Sequence, residues 1–162
     1  MLPITASPYT RPEMFHADIL TVNNKWTELS KHGKVLPLLF DVTNGGWISI
    51  LKSETVGRIQ RHRHAAAVTA LTLEGVWGYE EHDWVARAGS FVYEPAGHIH
   101  TLYVHPEMSK MTTVFHVYGP VIHLNDKGEV SEVEDVFTRL DKYAAHCKKV
   151  GLSDEYFRSL IR

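Results

Sequence analysis

From Val35 to Gly128 the chain is a succession of short apolar runs separated by turn signals at close spacing, and this punctuation constrains the fold more than any other feature. LPLLFDV precedes Asn44-Gly45-Gly46, a strong turn signal. WISILKSE follows, then Val56 and Gly57 lead into RIQRHRHAAAVTALTL. Glu74-Gly75 turns the chain into VWGYEEHDWV, Arg87 to Gly89 turn it into SFVYE, and Pro95 with Gly97 breaks it before HIHTLYV. MTTVFHVYGPVIHL gives one or two more strands, ended by Asn125 to Gly128. Several short strands of this kind predict an all-β sandwich or barrel.

Past Gly128 the period changes. Val133, Val136, Phe137, Leu140, Tyr143 and Ala144 fall at helical spacing, and Gly151 is placed to end that helix. Ser153 and Asp154 are placed to cap a last short helix containing Tyr156, Phe157 and Leu160. These apolar stripes are expected to cover the barrel or a neighbouring subunit. The organisation predicted is a single domain over 1–162, with an N-terminal arm at 1–34, a barrel at 35–126 and C-terminal helices at 133–162.

Composition narrows the function classes. A chain of 162 residues that is 44% hydrophobic and 22% charged can bury a core without disulfides. The net charge of -2 gives no reason to expect a nucleic-acid partner. The single cysteine, Cys147, suits a reducing compartment. MLPITASPYTRPEMF does not read as a signal peptide, and no stretch approaches the roughly 20 apolar residues that span a bilayer. The expectation is a cytoplasmic protein with no membrane partner. Eleven histidines direct attention to metal chemistry or pH sensing.

His62 and His64 are two residues apart, so on a strand both side chains point the same way while Arg61, Arg63 and Ala65 point the other. Two imidazoles inside a barrel are costly to bury unpaired, and a metal removes that cost. Gly89-x5-Pro95-x-Gly97-x2-His100 closes a turn, runs out a short strand and reverses the chain, which brings His100 back antiparallel. Three histidines from two strands would cap one face of a metal and leave positions open for substrate and oxygen.

Gly57 followed by His62-x-His64, with Gly75 at the closing position, resembles the first cupin motif, and Gly89-x5-Pro95-x-Gly97-x2-His100 resembles the second. EHDWVARAGSFVYEPAGHIHTL is similar to the 2,4'-dihydroxyacetophenone dioxygenase family, a relative of the acetylacetone-cleaving cupins. The resemblance is strongest from Gly57 to Val104. It implies a single cupin (RmlC-like jelly-roll) barrel with metal ligands His62, His64 and His100. The first motif has one residue too few between Gly57 and His62, and Val104 replaces the closing asparagine of the second. Val68 stands where a ligating glutamate would fall, which makes the expected site three-histidine, as in the diketone- and hydroxyketone-cleaving branch. Neutral ligands leave the full dipositive charge on the metal and favour an anionic chelating substrate. The resemblance implies cleavage of the C–C bond beside the carbonyl of a small aromatic or aliphatic ketone by O2. Iron(II) is the expected metal, with zinc or nickel possible as isolated, and a homodimer is expected. The alternative is a non-catalytic zinc-binding cupin sensor domain that uses the C-terminal helices to meet a partner.

His116, Glu94 and His82 are the further site candidates, placed to orient a ligand or touch substrate. Val114 and Tyr118 share the face of His116; Phe115 pointing inward would put His116 at the surface. Phe91 and Tyr93 are expected in the core, and Trp47, Trp77 and Trp84 in the core or an interface. His98 is expected at the rim. His16, His32, His105, His123 and His146 are expected at the surface, and Cys147 is not expected to act as a nucleophile.

Overall fold

The computed structural model describes residues 7–21 and 23–162. In chain order it contains β1 (Thr27–Ser30), β2 (Gly33–Asp41), β3 (Gly46–Ser53), β4 (Gly57–Arg58), β5 (His62–His64), β6 (Val68–Tyr79) and β7 (Val85–Arg87). Then come β8 (Phe91–Glu94), β9 (Ile99–His100), β10 (Leu102–Val104), β11 (Met111–Val117), β12 (Val121–Leu124), β13 (Val130–Glu134), α1 (Val136–Val150) and α2 (Asp154–Ser159). All strand pairings between these elements are antiparallel. The larger sheet runs β1-β2-β3-β11-β6-β10-β4, with β7 and β8 also paired to β6, and the smaller runs β13-β12-β5-β9. The all-β expectation holds, with two helices after the last strand.

Several boundaries differ from the sequence reading. The segment read as an arm contains β1 and the start of β2, and the strands continue past 126 through β13. VWGYEEHDWV is cut at Tyr79, so His82 lies in a turn rather than a strand. Val133 belongs to β13, and both it and Phe137 are exposed. Phe91 and Tyr93 are also exposed, at 66% and 62%, whereas Glu94 on the same strand is 4% exposed. Strand alternation decides this: Val92 and Glu94 share the inward parity. Trp47 and Trp77 are buried as expected, but Trp84 remains 38% exposed.

The helices close the interior. Val136, Leu140, Tyr143 and Cys147 recur on one face of α1 and pack with Phe40, Trp47, Val68 and Val117. The Asp135 side chain accepts from the Thr138 N–H at the start of the helix, and Gly151 ends it in the left-handed conformation. Leu160, fully buried, accepts a bond from the Phe40 N–H at 2.8 Å, which ties the chain's end to β2.

Gly75 shows how one residue fixes the sheet register. It has φ +82°, and a Cβ there would lie 2.0 Å from the Lys110 carbonyl oxygen. It sits beside a bulge in the β6–β11 ladder, opposite Met111. Gly75→Ala is expected to lose at least about 2 kcal/mol of stability, because left-handed strain and the backbone clash act together. Urea unfolding followed by tryptophan fluorescence measures it.

Candidate metal centre

The smaller sheet assembles the histidines. On β5, His62 and His64 are buried and Arg63 between them is exposed, as alternation requires. His100 on β9 is the cross-strand partner of His62. His123 on β12 is its partner on the other side. Directly opposed residues share a face, so His100, His62 and His123 form a row, with His64 beside it.

One ligand atom from each of His62, His64 and His100 lies within 4.8 Å of the others, a group that could hold a metal ion. His62 Nδ1–H donates to the Gln60 carbonyl at 2.8 Å, which leaves Nε2 as the lone-pair nitrogen. That Nε2 lies 3.1 Å from His64 Nε2. His100 stacks flat on Tyr79, with ring centroids 3.9 Å apart and planes 3° apart. Tyr79 donates its hydroxyl to Glu94 Oε1 at 2.5 Å. The other carboxylate oxygen, Oε2, stands 3.3 Å from His64 Nε2 and 3.5 Å from His100 Nε2.

Val68 does face inward, and it is the cross-strand partner of Glu94. A carboxylate therefore reaches the histidines from the strand beside the position where the motif glutamate is missing. His100 Nε2 and Glu94 Oε2 are buried with no hydrogen-bond partner. Buried polar atoms left unpaired are expensive. A divalent cation would satisfy the nitrogens of His62, His64 and His100, with Glu94 beside the group, so these residues fit one.

Burial sets the protonation of the site. It pushes His62 down to about 4, His64 to about 2 and His100 to about 3. All three imidazoles are therefore neutral near pH 7, the form that ligates. Burial raises Glu94 to about 7, against the lowering bond from Tyr79.

A cavity of about 130 Å³ adjoins His62 and His64, walled by Trp47, Leu51, Leu102 and Phe115. His123 and Arg139 also line it. A more open, polar cleft of about 400 Å³ around Trp26, Lys31, His32 and Thr55 does not include the histidine cluster.

Of the further candidates, Glu94 joins the site. His82 is exposed and stacks on Trp84, and His98 is exposed in its turn. Phe115 lines the cavity, which leaves His116 stacked on Tyr118 instead of facing the histidines. His123 corrects the surface assignment: its ring centroid is 6.1 Å from that of His62. Its shared parity with buried Val121 was the available signal. Glu134 and Arg139 were also missed. Glu134 Oε2 lies 2.7 Å from Arg139 Nη2 and 3.6 Å from His123 Nε2, and Lys142 bonds the other oxygen at 2.8 Å. Burial opposes the charge on Glu134, but His123, Arg139 and Lys142 outweigh it and hold the carboxyl at about 2.

Curled antiparallel sheets around a buried histidine cluster define a cupin. The chain belongs to the ChrR cupin-like domain family, which its residues 16–122 match. An RmlC-like cupin protein from Ralstonia eutropha is 32% identical over 87% of this chain and 91% of its own, with a TM-score of 0.77. An acetylacetone dioxygenase from Acinetobacter johnsonii is 15% identical over 90% of this chain and 99% of its own, with a TM-score of 0.74. The anti-sigma factor ChrR of Rhodobacter sphaeroides, solved with SigE, is 15% identical over 57% of this chain and 48% of its own, with a TM-score of 0.50. At 15% identity the last two share the fold alone. No curated protein matches the chain. Among the described residues no helix is long and apolar enough to cross a membrane.

Proposed function

We propose that the protein is a metal-dependent dioxygenase that cleaves the C–C bond beside the carbonyl of a hydroxyketone or diketone, similar to the 2,4'-dihydroxyacetophenone dioxygenases. The observation that carries this reading is the convergence of three neutral imidazoles beside an apolar cavity. His62, His64 and His100 would hold the metal. Bound iron(II) would relay electrons from the chelated substrate to dioxygen, whereas zinc or nickel could occupy the site as isolated.

The remaining groups orient and exclude. The Gln60 carbonyl fixes the ring of His62, and Tyr79 supports His100 by stacking while holding Glu94 by its Oε1. Glu94 Oε2 faces His64 and His100, where it would steady the ligand set. Trp47, Leu51, Leu102 and Phe115 keep water from the substrate's apolar parts. The working unit in this reading is one cytoplasmic domain, 1–162, in a homodimer. The exposed Leu71, Phe91 and Tyr93 on neighbouring strands β6 and β8 favour such pairing.

An oxygen electrode tests the reaction. Iron-loaded protein is expected to consume oxygen with at least one member of a broad hydroxyketone and diketone panel, and a cleaved hydroxyketone should give two carboxylic acids. No consumption with any of them overturns the reading.

Membership of the ChrR cupin-like family favours a second reading, a non-catalytic zinc-binding sensor domain. Such a sensor needs a surface for its partner, and the C-terminal helices are the candidates. In that reading a partner would meet α2 and the outer face of α1, since Val136, Leu140, Tyr143 and Cys147 are packed into the interior. Full zinc occupancy in unsupplemented protein, with no oxygen chemistry after iron exchange, would favour the sensor.

A further inference from the structure

We propose that the ligand of this cavity is a small keto acid whose carboxylate is held by Arg139. The inference rests on the dioxygenase reading for the role of the histidines and adds the substrate's charge and size.

Arg139 projects from α1 into the lining of the cavity that also exposes His62 and His64. Its guanidinium lies over the Trp47 ring, 4.8 Å from the centroid. Its Nη2 is 2.7 Å from Glu134 Oε2, and the side chain is 16% exposed. Its Nε is sheltered from solvent and has no partner. An arginine carries five N–H donors in a rigid fork, and a buried one normally finds acceptors for them. The Trp47 stack and the single contact to Glu134 leave the fork incomplete. Glu134 is also shared with Lys142, so the Arg139–Glu134 pair is not closed upon itself.

The position suits a ligand that also reaches the histidines. The His62 and His123 rings are neighbours, His123 lies against Glu134, and Glu134 lies against Arg139. A molecule with chelating oxygens at the histidines and a carboxylate a few bonds away would give the fork the acceptor it lacks. A planar carboxylate matches that fork better than a lone carbonyl oxygen does. At about 130 Å³ the cavity is small beside pockets that take drug-sized ligands, which suits a small molecule.

The test compares acetylacetone with 3,5-dioxohexanoate, the same diketone with a carboxylate on one methyl, by calorimetry on the zinc-loaded full chain. Zinc has no redox chemistry, so binding is read without turnover. The carboxylated diketone is expected to bind roughly tenfold tighter or better, the worth of one charge-assisted bond. Arg139→Lys, which keeps a cation beside Glu134, is expected to lose most of that preference, and Arg139→Gln all of it. Equal or weaker binding of the carboxylated ligand to the native protein overturns the inference whether or not the variants fold. So does a preference that survives intact in a folded Arg139→Gln. Carboxylate-dependent binding with no oxygen consumption by the iron-loaded protein would remove the dioxygenase reading and leave this one standing. Oxygen consumption with no carboxylate preference would do the reverse.

Discussion

Alanine at His64 or at His100 is expected to take bound metal from about one equivalent to near zero after gel filtration, with an affinity loss of roughly 100-fold or more. The expected loss exceeds that for a supporting residue, because each imidazole would contribute a bond and not only orientation. Glu94→Gln keeps a group that can bond Tyr79 but removes the charge that faces His64 and His100, so a loss of roughly tenfold is expected. His82→Ala and His98→Ala change exposed residues outside the cluster and should bind metal as the native chain does. Metal analysis gives stoichiometry, and competition with a chromophoric chelator gives affinity. Circular dichroism shows whether each variant is folded, since removing the buried His100 ring from its stack on Tyr79 costs stability in its own right. Native-like affinity in folded His64→Ala or His100→Ala would remove the metal reading.

The contrast between His64 and Glu94 also shows what the sequence makes legible. His62-x-His64 announces its shared face because strand alternation is a local rule. The turn from Pro95 through Gly97, where Gly97 takes a positive φ of +92°, separates β8 from β9, but β9 leaves its predecessor for the smaller sheet and pairs with β5, so the place of His100 beside His62 is set by a long-range pairing. Turn chemistry and alternation are read from neighbours in the chain, so the all-β class and the shared face of His62 and His64 could be anticipated, while His100 was placed with them by the likeness to the cupin motifs. Glu94 was harder to place. Its distance to the histidines depends on the pairing of β8 with β6, which sets it opposite Val68. That is a long-range register, and no spacing in the sequence encodes it. Phe91 and Tyr93 were misplaced because hydrophobicity was weighed above parity, although their strand alternates strictly enough to turn Glu94 inward. His123 and Arg139 were missed for a further reason. One lies on β12 and the other on α1, elements that reach the cavity only once the small sheet and the helix have closed over it.

Glu134→Gln is expected to destabilise the protein by about 3–5 kcal/mol at neutral pH, the usual result of breaking a buried charge pair from one side. The carboxylate is 4% exposed and lies between Arg139, Lys142 and His123 at the junction of β13 and α1. Glutamine there leaves the Arg139 charge without its counter-ion. Linkage gives a similar size: a folded-state value of about 2 against an ordinary 4.5 corresponds to stabilisation of the order of 3 kcal/mol. The sign follows from the depressed value. The unfolded chain takes up the proton first, so the stabilisation is complete above about 4.5 and fades as the pH falls toward 2. Native protein and variant should therefore differ by a constant amount from pH 7 to about pH 5 and converge below it. Buried His62, His64 and His100 impose their own loss as the pH drops below 6.5, since burial depresses them too, but both proteins share that loss and the difference cancels it. Urea unfolding of metal-free protein at a series of pH values measures the gap. A gap that stays unchanged down to pH 2.5 would show that Glu134 binds its proton equally well in the folded and unfolded chain, so that its contacts with Arg139, Lys142 and His123 add nothing net to stability.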